Sequence, residues 1–263
     1  MSVPASTPDG TGTRVFVDAL GATVAIEVQD PRILRAVDRV WVACRTSPAD
    51  GCPVAVAPRL GEDADDDDVA RALQLLTQVV TRQAILARAG SMTMLHAAAL
   101  CDQRSGATIA LVAPGGTGKT TLARTLGRGR GYVTDETVAI APDRSIAPYC
   151  KPLSLRRAGT NQPKDEIAPQ SLGLTPPQVQ PWLAGMVLLR RDLPDGGEIV
   201  VEDIALLDAL VLLAPETSSL AALDRPLHRL ADLVESVGGL RRVRYHDAAD
   251  VEPVVRDVLG RPR

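Results

Sequence analysis

Over the first ninety residues the pattern of apolar and polar positions changes period several times. Arg14 to Val28 (RVFVDALGATVAIEV) alternates apolar and polar residues on both sides of Gly21, the period of two that half-buried strands show, so two short strands joined by a turn are expected. Pro31 to Cys44 carries apolar residues at helical spacing and then a β-like end at Val40 to Val42. From Val69 to Ala89 the apolar positions Leu73, Leu76, Val79, Val80 and Ile85 recur at steps of three and four until Gly90 ends the run. The spacing predicts one amphipathic helix. Six acids in the ten residues from Gly61 precede it, and they read as a solvated helix start, because carboxylates stabilise the positive N-terminal end. Residues 1–90 are therefore expected to form a small α+β module with a bridging helix, and residues 91–263 a second domain.

Beyond Met92 short apolar runs dominate. Leu95 to Cys101 and Ala107 to Ala113 flank the polar, glycine-ended Asp102 to Gly106, the pattern of an antiparallel hairpin. Centring that hairpin near Gln103 to Arg104 pairs position 96 with about 111 or 112. Further along, the pattern predicts a hairpin at Thr137 to Tyr149 turning at Pro142-Asp143-Arg144. Strands are expected at Gly185 to Arg190 and Glu198 to Val201, and helices near Ile204 to Ala214, Pro226 to Ser236 and Val251 to Leu259. The proline-rich stretch Gln162 to Pro181 suits a mobile lid over an acceptor better than a plain linker.

Composition narrows the classes. The formal charge of -3 leaves no basic excess to hold a polyanion nonspecifically, which disfavours bulk nucleic-acid binding. The most apolar window, Ile204 to Ala214, is 11 residues long and carries Asp208, well short of the roughly 20 needed to cross a bilayer. With no secretory leader pattern ahead of Arg14, a cytoplasmic protein without membrane attachment is expected. Cys44, Cys52, Cys101 and Cys150 contain no C-x-x-C pair and read as reduced thiols rather than zinc ligands. Only three of the 29 basic residues are lysines, namely Lys119, Lys151 and Lys164, so each position that retains one draws notice.

The first of these lysines ends the strongest motif. Ile109 to Val112 runs into Ala113-Pro114-Gly115-Gly116-Thr117-Gly118-Lys119-Thr120-Thr121, and Leu122 to Leu126 then permits a helix. Strand, glycine-rich loop and helix in that order form a phosphate loop. Glycines let backbone N–H groups turn onto phosphate oxygens, the helix N-terminus adds partial positive charge, Lys119 neutralises the β and γ phosphates, and Thr120 offers a hydroxyl to Mg²⁺. Gly131 to Thr134 then reads as a strand whose C-terminal end carries Asp135 and Glu136, 16 residues or so beyond Lys119 and on the same sheet edge. There a carboxylate can hold Mg²⁺ or accept a proton from an attacking hydroxyl.

Thr137 to Tyr149 has room for a hairpin and not for a crossover helix. That spacing, together with the lack of an Asn-Lys-x-Asp or Leu-Ser-Gly-Gly-Gln sequence, argues against a GTP switch or a transporter ATPase. His96, paired near the start of the loop, comes to the nucleotide edge, where it contacts a phosphate or Asp135; otherwise it is a core residue. Lys151 and Arg156 are candidate cations for a phosphate or an acceptor carboxylate, against the reading of a basic surface loop. His228 and His246, the latter at a strand end, have no partner apparent in the sequence.

Together His96, Ala113 to Thr121, the Asp135-Glu136 pair and Lys-Pro-Leu-Ser-Leu-Arg at Lys151 to Arg156 resemble the catalytic domain of the HPr kinase/phosphorylase superfamily, over about Met92 to Arg157 and more weakly to Arg263. The resemblance implies an α/β fold with the mixed sheet of the HPr kinase/PEP carboxykinase type, carrying the small N-terminal module in front. It also implies that Asp135 activates the acceptor hydroxyl, that Glu136 and Thr120 serve the metal, and that His96 stands beside the base. The second acid is a glutamate where that superfamily usually has an aspartate, the later Arg-Gly-Leu-Gly segment is absent, and residues 1–90 resemble nothing in those enzymes. HPr recognition, phosphorolysis and a hexameric state are therefore not carried over.

The expectation is an ATP- and Mg²⁺-dependent kinase, with Pro114 to Thr121 on the nucleotide and a hydroxyl acceptor such as serine in a peptide, a protein or a small molecule. Assembly as a homo-oligomer stays open. Two rivals remain: an idle nucleotide sensor that binds a partner through residues 1–90, and a small-metabolite kinase of the shikimate-kinase type. The latter requires a parallel crossover where the hairpin is expected.

Overall fold

A computed structural model describes residues 12–157 and 162–263. The chain opens with β1 (Thr13–Ala19) and β2 (Ala22–Val28), an antiparallel hairpin with Ala19 opposite Ala22. Leu20 and Gly21 between them both have positive φ, the conformation whose twist matches that of the flanking strands. α1 (Pro31–Val40) starts where the Asp30 side chain accepts the Arg32 N–H, and buries Ile33, Ala36, Val37 and Val40. The β-like end expected at Val40 to Val42 is not formed. Val40 completes the buried stripe of the helix and Val42–Cys44 turns as a short 3-10 segment, since β-branched residues make a strand only with a neighbour to pair.

β3 (Val54–Val56) joins β2 in parallel. The acidic run does start a helix, α2 (Asp66–Arg88). Asp65 and Asp68 form a reciprocal capping box, and Asp66, Asp67 and Asp68 fill the first turn, which satisfies orphan N–H groups and complements the helix dipole.

The second part is built on β4 (Thr93–Cys101) and β5 (Ala107–Val112), followed by α3 (Lys119–Leu126), β6 (Gly131–Thr134), β7 (Thr137–Ile140) and β8 (Ile146–Ala147). Next come β9 (Leu153–Arg156), β10 (Lys164–Ile167), β11 (Trp182–Arg190), β12 (Val200–Ile204), α4 (Leu206–Leu213), β13 (Thr217–Ser218), α5 (Pro226–Ser236), β14 (Leu240–Arg244) and α6 (Glu252–Leu259). Among the described residues the main sheet runs β12-β14-β11-β5-β4-β7-β8, with β6 and β13 also on β4, while β9 and β10 pair by themselves. β5, β11 and β14 are parallel neighbours, and β4 is antiparallel to β5, β6, β7 and β13. The result is a mixed α/β fold with six α-helices among the described residues.

Both faces of this sheet are covered, which is why β4, β5 and β11 read as almost unbroken apolar runs. Met94, Ala98 and Leu100 face α2, α3 and α6 in one core, together with the side chains of β1 and β2. Leu95, Ala97 and Ala99 face α4 and α5 in the other. The core therefore runs across residue 90 without a break. Among the described residues no helix is long and apolar enough to cross a membrane.

Three expectations shift. Ala97, not His96, stands opposite Val112. The Asp102 carboxylate accepts the Arg104 and Ser105 N–H groups and Gly106 takes a positive φ, which moves the hairpin centre toward the later residues. The strand expected at Glu198 to Val201 lies at Val200–Ile204, antiparallel to β14. The stretch expected as a lid carries β10 and buries Glu166, Ala168 and Leu174. Thr175 accepts the Tyr132 N–H, so this segment is packed against the body rather than held over an acceptor.

Candidate functional site

The glycine-rich loop leaves β5 at Ala113 and enters α3 at Lys119. Gly116 and Gly118 have φ of +82° and +99°, a region that L side chains rarely adopt. Nothing lies within 4 Å of where a Cβ would stand at Gly115, Gly116 or Gly118, so these residues border an open hollow. Thr117 folds the loop on itself, its hydroxyl donating to the Pro114 carbonyl at 2.8 Å. Among the described residues the N–H groups of Gly116, Gly118, Lys119 and Thr120 make no hydrogen bond. Unpaired N–H groups at a helix start are what an anion takes.

Lys119 is buried and donates to the Ala113 and Pro114 carbonyls. Burial lowers its ammonium to about 8, against the pull of Glu216, Asp135 and Glu136.

Asp135 and Glu136 occupy the step between β6 and β7, two strands that pair with successive parts of β4. The Glu136 carbonyl accepts the Ala97 N–H at 3.0 Å, which pins this step to β4. Because β5 and β6 flank β4 and both run against it, their C-terminal ends meet at one sheet edge. The Thr120 hydroxyl donates to Asp135 Oδ2 at 2.7 Å, so the loop and the acidic pair touch. Oδ1 of Asp135 accepts the Tyr132 hydroxyl at 3.0 Å and lies 2.9 Å from Lys151 Nζ, which is also 3.2 Å from Glu136 Oε2. Burial alone raises the Asp135 carboxyl, but the Lys151 ammonium and the three hydrogen bonds outweigh it and hold the group below the ordinary carboxylate range.

His96 pairs with Thr137 on one side of β4, while Thr217 of β13 pairs with Leu95 on the other. That register sets Glu216 opposite His96. Burial, then the Lys119 charge, lowers the His96 imidazole, while Glu216 and Glu136 oppose the shift. Lys119, Thr120, Asp135, Glu136 and His96 thus border one region.

Lys151 joins that region as a buried ion-pair partner of the acids, not as a cation open to an acceptor. Arg156 is exposed on β9 opposite Lys164, away from the acidic pair. His246 meets the Leu193 carbonyl and His228 is exposed on α5.

Several contributors carry no sequence signal. Glu216 belongs to no motif and arrives only through the β13 pairing. Tyr132 reads as an ordinary strand aromatic. Glu166 of β10 is buried beneath Lys151, accepting the Thr77 hydroxyl of α2 at 3.1 Å and the Ser154 hydroxyl of β9. Burial raises its carboxyl, against the pull of Lys151. Beside the loop, a cavity of about 300 Å³ is lined by Thr117, Gly118, Thr121, Arg191, Tyr245 and Asp247.

The loop can hold a phosphate group, and Thr120 with the two acids presents hard oxygen donors. Among the described residues no set of three or more His, Cys, Asp or Glu could hold a metal. No family model and no curated protein matches the chain.

Proposed function

We propose that this protein is an ATP- and Mg²⁺-dependent phosphotransferase with a P-loop kinase-like fold, acting on a hydroxyl acceptor, namely serine in a peptide or protein or free serine. The observation that carries the reading is the 2.7 Å hydrogen bond from Thr120 to Asp135, which joins the anion-accepting loop to a carboxylate. The unpaired N–H groups and Lys119 bind and orient the terminal phosphates. Bound Mg²⁺ would draw charge from the transferred phosphoryl group, held by Thr120 and Glu136 together with the phosphates. Asp135 Oδ2 keeps a lone pair beyond the Thr120 bond. It takes the proton of the acceptor hydroxyl as that oxygen bonds to the γ-phosphorus and the bond to the β–γ bridging oxygen breaks, leaving ADP. Its low pKa suits a loose transition state, in which the proton moves late and little basicity is needed. The cavity at Tyr245 and Arg191 adjoins the loop at Thr117 and Gly118, which supports giving the nucleoside that space.

A second reading, a nucleotide sensor without turnover, is favoured by the Lys151 ammonium already paired with Asp135. Labelled ATP incubated with free serine and serine peptides separates the two. Transfer that is lost in Asp135→Asn while ATP binding persists supports the kinase, and binding without transfer across the panel supports the sensor.

A further inference from the structure

The cluster behind the loop gathers three carboxylates around one ion-paired lysine, with Asp135 and Glu166 buried and the Glu136 side chain 31% exposed. Asp135, Glu136 and Glu166 are three carboxylates, and among the described residues Lys151 is the one cation in salt-bridge contact with any of them. Its ammonium lies 2.9 Å from Asp135 Oδ1 and 3.2 Å from Glu136 Oε2 and donates to the Pro152 carbonyl at 3.0 Å. Glu166, 6% exposed, has among the described residues only the neutral Thr77 and Ser154 hydroxyls on its two oxygens. Hydroxyls satisfy lone pairs, but they do not neutralise a buried charge. Glu166 is thus a carboxylate without a cation of its own, and it pairs across β9–β10 with Ser154, three residues beyond Lys151.

A Mg²⁺-bound polyphosphate held at Thr120 and Glu136 would compete with Lys151 for the Glu136 carboxylate. Lys151 has 3% of its side chain exposed, so its ammonium is held by protein groups rather than bulk water. Like charges repel strongly in such a site, and Glu166 is the remaining acid within the cluster. We infer that Glu166 is a positioning residue of this site, a second carboxylate toward which the Lys151 ammonium shifts when a Mg²⁺-bound polyphosphate takes Glu136. The inference rests on the phosphotransfer reading. Because Thr77 belongs to α2, the shift also ties the first ninety residues to the loading of the site.

The three-lysine composition makes the shift observable. In the full-length chain labelled with ¹⁵N-lysine, the buried Lys151 ammonium signal should move on saturation with Mg²⁺ and ATP and stay in place with ATP in EDTA. In Glu166→Gln that movement should be lost. Calorimetric titration should show Mg²⁺-ATP bound roughly tenfold more weakly by this variant, the low end of what outer-shell partners of a metal site contribute, and ATP in EDTA bound as before. A Lys151 signal that does not respond to Mg²⁺-ATP in the wild type overturns the inference. So does equal weakening with and without Mg²⁺, which marks a merely structural role. If Glu166→Gln lacks a cooperative melt, Glu166→Asp, which withdraws the charge by one methylene, is read by the same two titrations. A wild-type chain that binds ATP under neither condition removes the phosphotransfer reading and this inference with it. Binding with an unchanged Mg²⁺ dependence in the variant removes this inference alone.

Discussion

Lys151 Nζ lies 2.9 Å from Asp135 Oδ1, with 3% and 2% of the two side chains exposed. A pair so deeply buried repays its desolvation only with good geometry and further hydrogen bonds, and Tyr132, Thr120 and the Pro152 carbonyl supply them. The cluster is thus a junction of the fold as well as the floor of the candidate site.

Removing the cation strands a buried carboxylate. Lys151→Met should destabilise the fold by about 3–5 kcal/mol, read from urea unfolding at neutral pH. The folded Asp135 pKa lies below its ordinary 3.8, so its stabilising contribution is complete above that value and is lost as pH falls through the folded one. Without Lys151 the buried carboxyl is pushed up, so the gap between wild type and variant should narrow as pH falls through the carboxylate range, from the variant's raised pKa down to the wild type's lowered one. A gap that stays constant down to pH 2 would contradict the pairing.

Lys119 is lowered too, but there the shift penalises the charged form instead of stabilising it. Its ammonium is lowered from 10.5 to about 8, so between those values the unfolded chain holds a proton that the folded chain has released. Stability must rise with pH across that window. The melting temperature of the wild type relative to Lys119→Met should climb from about pH 8 to about 10.5. Affinity for ATP, measured calorimetrically, should fall over the same range as the cation is lost.

The loop glycines differ in what they tolerate. Gly118→Ala forces an L residue to φ +99° without any steric neighbour within 4 Å, so its cost is conformational, about 1–2 kcal/mol. ATP affinity should drop by at least about tenfold as the N–H groups turn away, since 1.4 kcal/mol is one decade. Gly115→Ala, with no positive φ and open space around it, should change stability by less than about 0.5 kcal/mol. Equal losses in both variants would argue against a conformational origin.

Glu216→Gln removes the charge that raises the His96 and Lys119 ammonium forms from across β4. The His96 imidazole should titrate lower still in the variant, followed by NMR in a chain with three histidines. An unmoved His96 curve would sever the electrostatic link that the β13 pairing implies.

Much of this was readable along the chain because it depends on neighbours in sequence. The alternation about Gly21, the apolar stripe and acid-rich start of α2, the strand-loop-helix from Ile109 to Leu126 and the acids after β6 are all local patterns. Local sterics, dipoles and hydrogen bonds set them. The Val40 to Val42 expectation failed for the complementary reason, since Val40 is drawn into the buried stripe of α1 and the chain meets the edge of β1 only at Arg45.

The charge state of the site belongs to the tertiary structure. Lys151 reads as a basic loop residue until packing encloses it between Asp135, Glu136 and Glu166. Glu216 has no role until β13 pairs with Leu95, and the expected lid becomes a wall only because Glu166, Ala168 and Leu174 find a core to enter. The residue types and their order along the chain determined the loop, the acids and the elements that carry them. Which ammonium meets which carboxylate, and how far water is kept from both, depends on contacts between distant segments, whose strength rises as burial lowers the local dielectric.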